Sequence, residues 1–184
     1  MIDQQEAEIL TLIRDENTRE KGFRMLMMVY QERIYWHIRK FVFDHDDAND
    51  IMQNTFIKVY RGIDKFKGDS KLYTWLYRIS SNESITYVNN RKRRATASID
   101  DGEYDLANQL KADVFFDGDE AQLMLQQAVA SLPDKQRLVF NMKYFDDLSY
   151  QEISEILDTS VGALKASYHH AVKKIQGFFK DVNV

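Results

Sequence analysis

Aromatic and cationic side chains crowd into one short segment, residues 66–85, which reads FKGDSKLYTWLYRISSNESI. A helical wheel gives this segment an apolar stripe of Leu72, Trp75, Leu76 and Ile79. Tyr73 and Tyr77 lie beside that stripe, and cations continue along the chain to the run RKRR at residues 91–94. Rings that stack on bases, together with cations that hold phosphates, bind single-stranded nucleic acid. The segment predicts such a face, although aromatic residues at helical spacing are also typical of a core.

An acidic segment upstream, DHDDANDIMQNTF, begins a predicted helix whose polar face is formed by Asp47, Asp50, Gln53 and Asn54. Carboxylates favour helix N-termini because they interact with the helix dipole. A calcium loop of the EF-hand type is excluded, since the glycine of its sharp turn and its terminal glutamate are both missing. A polar, acidic face also suits docking of a basic partner helix. A solvated face and a docking face therefore stay equally open.

The C-terminal part of the sequence predicts a helix-turn-helix. Ser149 and Glu152 have the spacing of a capping box at the start of LSYQEISEIL, and a short break, DTS, precedes a long helix over about residues 161–179. In this motif the second helix enters the DNA major groove, where its early positions read base edges. The side chains on or beside its outward face are Lys165, Ala166, Ser167, His169, His170, Lys173 and Lys174. An ordinary antiparallel helix pair would give the same pattern.

Catalytic and metal-binding patterns are missing from the sequence. His169 and His170 are neighbours on a helix, about 100° apart, and cannot easily share one ion. The chain has no cysteine, no glycine-rich phosphate loop and no nucleophile-and-base signature. His37 and His45 are isolated, which favours structural roles. The sequence therefore predicts a protein that is not an enzyme and has no cofactor.

Composition is that of an ordinary globular protein of 184 residues, with 44% hydrophobic and 29% charged residues. A net charge of −4 argues weakly against nucleic-acid binding, but charge acts locally and here the signs are segregated along the chain. The absence of cysteine agrees with a reducing compartment. The acidic N-terminus lacks a signal pattern, and no apolar run approaches the roughly 20 residues of a membrane helix. We expect a cytoplasmic protein that is not itself a membrane protein.

Apolar residues recur at three- and four-residue spacing almost throughout, so the predicted fold class is all-α. Four helical patterns fill residues 1–94. Residues 95–120 are acidic and sparsely apolar, with one short helix around residues 106–110, and helical patterns return over residues 121–184. A long unstructured connection is improbable inside one compact domain. The chain is therefore predicted to form two small helical domains joined by a flexible acidic linker.

Two long segments resemble a known family. DDANDIMQNTFIKVYRGIDKFKGDSKLYTWLYRISSNESI is similar to the second conserved region of extracytoplasmic-function (ECF) sigma factors, and LPDKQRLVFNMKYFDDLSYQEISEILDTSVGALKASYHHAVKKI is similar to their fourth region. The resemblance implies an alternative sigma factor, a non-catalytic initiation factor that binds core RNA polymerase and directs it to promoters. Region 2, residues 1–94, would melt the −10 element. The helix-turn-helix of region 4, residues 121–184, would read the −35 element.

The resemblance also implies roles for individual residues. The polymerase clamp would bind Asp47, Asp50, Gln53 and Asn54. The −10 element, as single-stranded DNA, would contact Phe66, Lys67, Lys71, Tyr73, Trp75, Tyr77, Arg78, Asn82, Arg91 and Arg93. The −35 element, as duplex DNA, would contact Ser160, Lys165, Ala166, His169, His170 and Lys173. In the family, an asparagine in the loop after the TWLYRI helix, here Asn82, lines a pocket with Phe66 for a flipped-out base.

Partners also follow from the resemblance: the β′ clamp and β flap of core RNA polymerase, promoter DNA, and an anti-sigma factor, often membrane-tethered, that would cover both DNA-binding domains. One departure is that Ser167, His170 and Val172 stand where family members often carry arginines, which removes strong donors to guanine. A stand-alone DNA-binding repressor or activator is the first alternative, and a protein-binding adaptor is another. The repressor leaves the aromatic–cation segment and the acidic face without a role.

Overall fold

The computed structural model describes residues 2–97 and 120–182 of the chain. Within those ranges all regular secondary structure is helical, which confirms the all-α prediction. The helices are α1 (Ile2–Arg14), α2 (Arg19–Val42), α3 (His45–Gly62), α4 (Leu72–Ala97), α5 (Glu120–Ala130), α6 (Asp134–Tyr144), α7 (Tyr150–Leu157) and α8 (Val161–Val182), with a 3-10 turn at Ile63–Lys65. The predicted short helix at residues 106–110 lies outside the described residues, as does most of the predicted linker.

Helices α1 to α4 form the N-terminal half, in which α2 packs against α1, α3 and α4. The apolar positions that recur along α2 supply its core, and Leu26, Ile34 and Ile38 are fully buried. Helix α3 begins where expected, because the Asp44 side chain accepts a hydrogen bond from the Asp47 backbone N–H at 2.9 Å. Because α2 packs against both α3 and α4, the predicted acidic face of α3 and the aromatic helix α4 belong to one helical bundle.

A single buried carboxylate on α1 fixes the start of α4. Glu6 is 7% exposed and accepts hydrogen bonds from the backbone N–H groups of Leu72 at 3.2 Å and Tyr73 at 3.4 Å. The Tyr30 hydroxyl donates to the same carboxylate at 2.7 Å. A carboxylate at a helix N-terminus satisfies N–H groups that have no partner within the helix and interacts favourably with the helix dipole. Helix α1 therefore positions the aromatic segment that follows Leu72.

Helices α5 to α8 form the C-terminal half and contain the predicted helix-turn-helix, α7 followed by α8. The predicted capping box is confirmed, since Ser149 accepts from the Glu152 backbone N–H and Glu152 accepts from the Ser149 backbone N–H. Asp158, with φ of 49°, ends α7 in the left-handed conformation. On α8, the apolar residues Leu164, Ala171 and Ile175 recur at helical spacing and are buried. The turn after α7 therefore orients α8 so that its apolar side packs within the C-terminal half and its other side faces outward.

The two halves pack directly on one another, with α7 against α4 and α6 against α2. One hydrophobic cluster contains residues of both halves, and the C-terminal half contributes Leu138, Val139, Met142, Leu148, Ile153, Ile156 and Leu164 to it. Arg137 of α6 is 1% exposed, and its guanidinium lies 4.5 Å from the centre of the Phe41 ring at the end of α2. The chain is therefore closed in this structure, with a shared apolar interface between its halves.

Candidate polymerase and nucleic-acid interfaces

The outer face of α3 carries three of the four residues predicted to dock the polymerase. Asp50, Gln53 and Asn54 are exposed, whereas Ile51 and Phe56 are buried on the opposite side. Residues three and four apart on a helix are neighbours, so the three polar side chains form one patch. The structure leaves this patch open to a partner.

Asp47, the fourth predicted docking residue, departs from that expectation. Its carboxylate is 16% exposed and accepts hydrogen bonds from the Tyr87 hydroxyl and the Arg91 guanidinium, both on α4. Burial raises the pKa of the Asp47 carboxyl, against the opposing effects of Tyr87 and Arg91. Burial, followed by the bond to Asp47, raises the pKa of Tyr87 to about 12. The Asp47 carboxylate therefore links α3 to α4. It is turned inward because it pairs with Tyr87, which lies 40 positions further along the sequence.

An apolar groove that was not predicted from the sequence adjoins Gln53. The groove encloses ≈ 580 Å³ and is lined by Phe23, Met27, Met52, Gln53, Phe56, Ile57, Tyr60 and Arg61. Ile57 and Tyr60 are 47% and 40% exposed, and exposed apolar patches of this kind mark interaction sites. A signal was present, because Gln53, Ile57 and Tyr60 recur at helical spacing on the outer side of α3. We call Asp50, Gln53, Asn54 and this groove the α3 surface.

Phe66 and Trp75 pack together where the chain enters α4. Their ring centroids lie 5.4 Å apart, and Phe66 is 8% exposed. Gly68, with φ of 81°, lets the chain turn between them. Lys67 and Lys71, which were predicted to hold phosphates, are exposed in this loop. The loop therefore presents cations outward and keeps its aromatic ring largely inside.

Tyr73 and Tyr77 differ from the sequence expectation because both are buried. Tyr77 is fully covered, its hydroxyl accepts a hydrogen bond from Arg33 Nε at 3.0 Å, and burial raises its pKa. The Tyr73 hydroxyl donates to the Glu152 carboxylate on α7, and burial, followed by Glu152, raises the pKa of Tyr73 to about 12. The helical wheel places both rings beside the apolar stripe but does not show that α2 and α7 cover them. In this closed form neither ring is open to a DNA strand.

Arg78 and Asn82 are exposed on α4, although α7 engages Arg78. The Arg78 guanidinium donates to the backbone carbonyl of Glu155. The expectation that Asn82 lies in a loop is wrong, because α4 runs without interruption from Leu72 to Ala97. Asn82 lies two turns beyond Trp75, about 10 Å along the helix axis. Both residues therefore stand on one rigid helix.

The basic run at residues 91–94 continues α4, and half of it is engaged within the chain. Arg91 pairs with Asp47, and the Lys92 ammonium lies 2.7 Å from a carboxylate oxygen of Asp134 on α6. Arg93 is exposed, as predicted for a residue that contacts a strand. The cations that remain open along α4 and its preceding loop are thus fewer than the sequence alone indicates.

Helix α8 presents the residues predicted to read duplex DNA on one open face. Ser160 caps the helix, since its hydroxyl accepts from the Ala163 backbone N–H at 3.3 Å. The exposed residues of the predicted set are Ser160, Lys165, Ala166, His169, His170 and Lys173. The structure therefore brings this whole set together, with the buried stripe behind it.

Among residues 2–97 and 120–182, no group of three or more histidine, aspartate or glutamate side chains is placed to hold a metal ion. None of the helices described in these ranges has both the length and the apolar character needed to span a membrane.

Comparison with known proteins identifies the family. A family model described as Sigma-70 region 2 matches residues 26–94, and one described as Sigma-70, region 4 matches residues 122–175. The RNA polymerase sigma-H factor of Pseudomonas aeruginosa is 30% identical over 179 residues, which covers 93% of each chain. The ECF RNA polymerase sigma-E factor of Escherichia coli (strain K12) is 31% identical over 164 residues, 85% of each chain. The chain belongs to the ECF sigma factors.

Solved structures share the fold of this ECF sigma factor. The sigma factor RpoE of Bartonella quintana, in complex with the anti-sigma factor NepR, superposes with a TM-score of 0.68 at 21% identity and covers 87% of this chain and 98% of that one. CnrH, in complex with the cytosolic domain of CnrY, gives a TM-score of 0.68 at 18% identity over 96% of each chain. The sequence-based identification is confirmed, and with it the role of an alternative sigma factor that directs promoter-specific transcription initiation.

Proposed function

We propose that this ECF sigma factor docks on core RNA polymerase through the α3 surface and uses its two halves on different promoter elements. Region 2, residues 1–94, opens and holds the −10 element, and region 4, residues 121–184, reads the −35 element across a linker at residues 95–120. The observation that carries the proposal is the separation of three surfaces: the α3 surface, the cation-bearing side of α4, and the open face of α8. The protein has no catalytic residue of its own in this scheme.

The α3 surface suits a partner helix that is both apolar and basic. Its groove accepts apolar side chains through Ile57 and Tyr60, and Asp50 supplies a carboxylate beside it for a cation. Gln53 and Asn54 add amide groups that fix orientation by hydrogen bonding. The β′ clamp of core RNA polymerase is the proposed occupant, and the β flap is the proposed contact of region 4. Since polymerase is the partner, the proposed site of action is the cytoplasm.

The α4 side provides what a melted −10 strand requires, apart from its covered rings. Lys67 and Lys71 are exposed cations in the loop before α4, and Arg93 and Asn82 are an exposed cation and an exposed amide on α4 itself. A flipped base is bound by hydrogen bonds to its edge and by stacking, which repays the few kcal/mol spent on unstacking it. Tyr73 and Tyr77 must be uncovered before they can stack. We therefore assign strand binding to an opened form of the chain.

The α8 face is proposed to read the −35 duplex with few strong base contacts. Lys165 and Lys173 are exposed cations that could contact phosphates, and Ser160 and His169 supply polar groups at the surface. No arginine lies on this helix to form a bidentate pair with guanine. Recognition by the sequence-dependent shape of the duplex is therefore proposed to carry a larger share than base-edge contacts.

An anti-sigma factor is the proposed regulatory partner. Two solved proteins that share this fold, RpoE of Bartonella quintana and CnrH, were captured with NepR and with the cytosolic domain of CnrY. We extend that kind of partner to this chain, where it would hold both DNA-binding halves. A partner tethered at the membrane is compatible with the proposal, since this chain itself would remain in the cytoplasm.

Reconstitution with core RNA polymerase tests the proposed function. The purified chain is mixed with core enzyme and a genomic promoter pool, and run-off transcripts are sequenced. We expect polymerase association and transcripts from a distinct promoter set. Absence of polymerase association would overturn the proposal, and duplex binding without polymerase would instead favour a stand-alone repressor or activator.

Two variants separate the proposed roles within the same assay. Asn82→Ala is expected to reduce promoter opening about tenfold or more while polymerase binding is kept, since it removes one base-edge contact. Asp50→Ala combined with Gln53→Ala is expected to weaken polymerase binding instead. Asn17→Ala, on an exposed turn between α1 and α2, is the matched control. If both variants lose the same step to the same extent, the division of roles is wrong.

A further inference from the structure

A buried polar cluster joins the two halves of the chain at Asp146. This residue lies in the loop between α6 and α7, and its carboxylate is 5% exposed. His37 Nδ1 of α2 lies 2.8 Å from one carboxylate oxygen, and Lys40 Nζ of the same helix lies 3.1 Å from the other. An ionised carboxylate can only accept hydrogen bonds, so both groups donate to it. A side chain of region 4 is thus enclosed by donors of region 2.

Each donor is itself held in place by a further contact. His37 Nε2 lies 3.0 Å from the Ser81 hydroxyl of α4. The Asn141 amide of α6 donates to the backbone carbonyl of Lys40 at 2.9 Å, and the Lys40 ammonium lies 5.1 Å from the centre of the Phe145 ring. The cluster therefore links α2, α4 and α6 and fixes the loop in one position.

The loop continues directly into α7, so its position decides where α7 lies. Asp147, with φ of 52°, turns the chain immediately after Asp146. From there α7 crosses α4, where Glu152 receives the Tyr73 hydroxyl and the Glu155 carbonyl receives Arg78. These are residues assigned above to the −10 strand. The position of Asp146 is thus coupled to the covering of the strand-binding side of α4.

Buried ion pairs act more through geometry than through net stability. Burying both charges of an ion pair costs about as much free energy as their attraction gains. Loss of one partner, however, leaves the other charge buried and unpaired. The apolar interface between the halves is non-directional, whereas the Asp146 cluster is satisfied in one relative orientation. Together with the hydrogen bonds that α7 makes to Tyr73 and Arg78, it therefore favours the closed arrangement over other ways in which two apolar surfaces can pack.

We infer that Asp146 is an intramolecular latch that holds region 4 over the strand-binding side of region 2, so that the free chain inhibits itself. The conformational part of this inference stands on the contacts alone, and its consequence for DNA rests on the proposed function. Polymerase or another partner must then open the latch before α4 can take a strand. The latch requires no second protein in order to close.

A distance measurement in the full chain tests the latch directly. The sequence has no cysteine, so Glu16→Cys and Gln176→Cys give two unique, exposed labelling sites, one on each half. Single-molecule energy transfer between dyes at these sites then reports the closed fraction. We expect Asp146→Asn to lower that fraction clearly. Asp147→Asn is the matched control, because the neighbouring side chain is exposed and asparagine tolerates its positive φ.

A second readout connects opening to DNA. Binding of a labelled pool of short random-sequence single-stranded oligonucleotides is measured by anisotropy without polymerase. If the closed form leaves about a tenth of the molecules competent, Asp146→Asn should strengthen apparent binding by up to about tenfold. Asp147→Asn should bind like the parent chain. Unchanged energy transfer in Asp146→Asn, with parental helix content by circular dichroism, would overturn the latch.

Misfolding and failure of the proposed function are distinguishable from failure of the latch. If Asp146→Asn loses helix content, Lys40→Gln provides the same test, because it removes one donor at a position that retains some solvent access. Opening by Lys40→Gln supports the latch, and a closed Lys40→Gln chain overturns it. Opening without a gain in strand binding overturns the self-inhibition, and absence of run-off transcripts bears on the proposed function alone.

Discussion

The two faces proposed to contact DNA differ in how open they are. The α8 face is exposed along its length, whereas the rings of Tyr73 and Tyr77 on α4 are buried. Helix α8 rests on α6 of its own half, but α4 is the surface on which the other half docks. The duplex-reading face is thus ready in the free chain while the strand-reading side is closed. On the proposed assignment, recognition of duplex DNA would need no rearrangement, whereas strand capture would need the halves to separate.

The largest expected effect is a loss of stability on substitution of Arg137, which anchors α6 to the N-terminal half. Its guanidinium donates to Asp134 at 2.9 Å and to the Ala130 carbonyl at 3.3 Å, and it lies over the Phe41 ring. We expect Arg137→Met to lower the free energy of unfolding by about 3 kcal/mol, because removal of one partner from a buried network strands the others. Urea denaturation measures this loss.

Lys135→Met is the matched control for Arg137, since Lys135 is an exposed cation on the same helix. Its free energy of unfolding should stay within about 0.5 kcal/mol of the parent value. Equal losses in the two variants would contradict the anchoring role of Arg137.

Local signals in the sequence predicted the helices well. The capping box of Ser149 and Glu152 could be predicted from the sequence because its two partners are three residues apart. Helical periodicity likewise indicates which side of α8 is buried, and Leu164, Ala171 and Ile175 are buried on that side. The exposure of Lys165, Ala166, His169, His170 and Lys173 was therefore predicted from the local pattern, whereas Ser167, predicted with them, is only partly exposed.

Long-range pairings were not legible in the same way. His37 and Asp146 are 109 positions apart, and no local pattern marks either as a partner of the other. Asp47 was expected on an open face because its partners Tyr87 and Arg91 lie on another helix. The helical wheel indicated on which side of α4 the Tyr73 and Tyr77 rings lie. It could not indicate that this side is covered, because the covering residues come from packing between the two halves.

A smaller effect is expected from Glu152, which both caps α7 and receives the Tyr73 hydroxyl. Glu152→Ala should cost about 1 kcal/mol of stability through the cap. It should also strengthen single-strand binding roughly fivefold, if about 1 kcal/mol of covering contact is lost. Ser149→Ala removes the cap alone, so it should match the stability loss and leave strand binding unchanged. A gain in strand binding by Ser149→Ala would show that α7 covers α4 by its helicity rather than by Glu152.

Substitutions on the open face of α8 should change duplex binding independently of the Asp146 latch. Lys165→Ala and Lys173→Ala are each expected to weaken duplex binding severalfold and to reduce the slope of log affinity against log salt by about 1. Lys21→Ala removes an exposed cation from α2 and serves as the control. Combination with Asp146→Asn should leave the duplex losses as they are. Dependence of duplex binding on Asp146 would mean that the closed form hinders both DNA-binding faces and not only the strand-binding side of α4.

The smallest expected effect is confined to acid and belongs to Asp146. Burial alone would raise the pKa of its carboxyl, but His37 and Lys40 outweigh burial and hold that pKa below its ordinary value. Arg33 of α2 and Tyr77 of α4 also interact electrostatically with it. A carboxyl with a lowered pKa in the folded state contributes stability that is complete above about pH 4 and is lost as the pH falls further. The parent chain should therefore open and destabilise below about pH 4 more steeply than Asp146→Asn, as measured by energy transfer and urea denaturation at each pH. Identical acid profiles for the two chains would show that other carboxyls govern the transition and that Asp146 holds the halves together through its shape and hydrogen bonds rather than its charge.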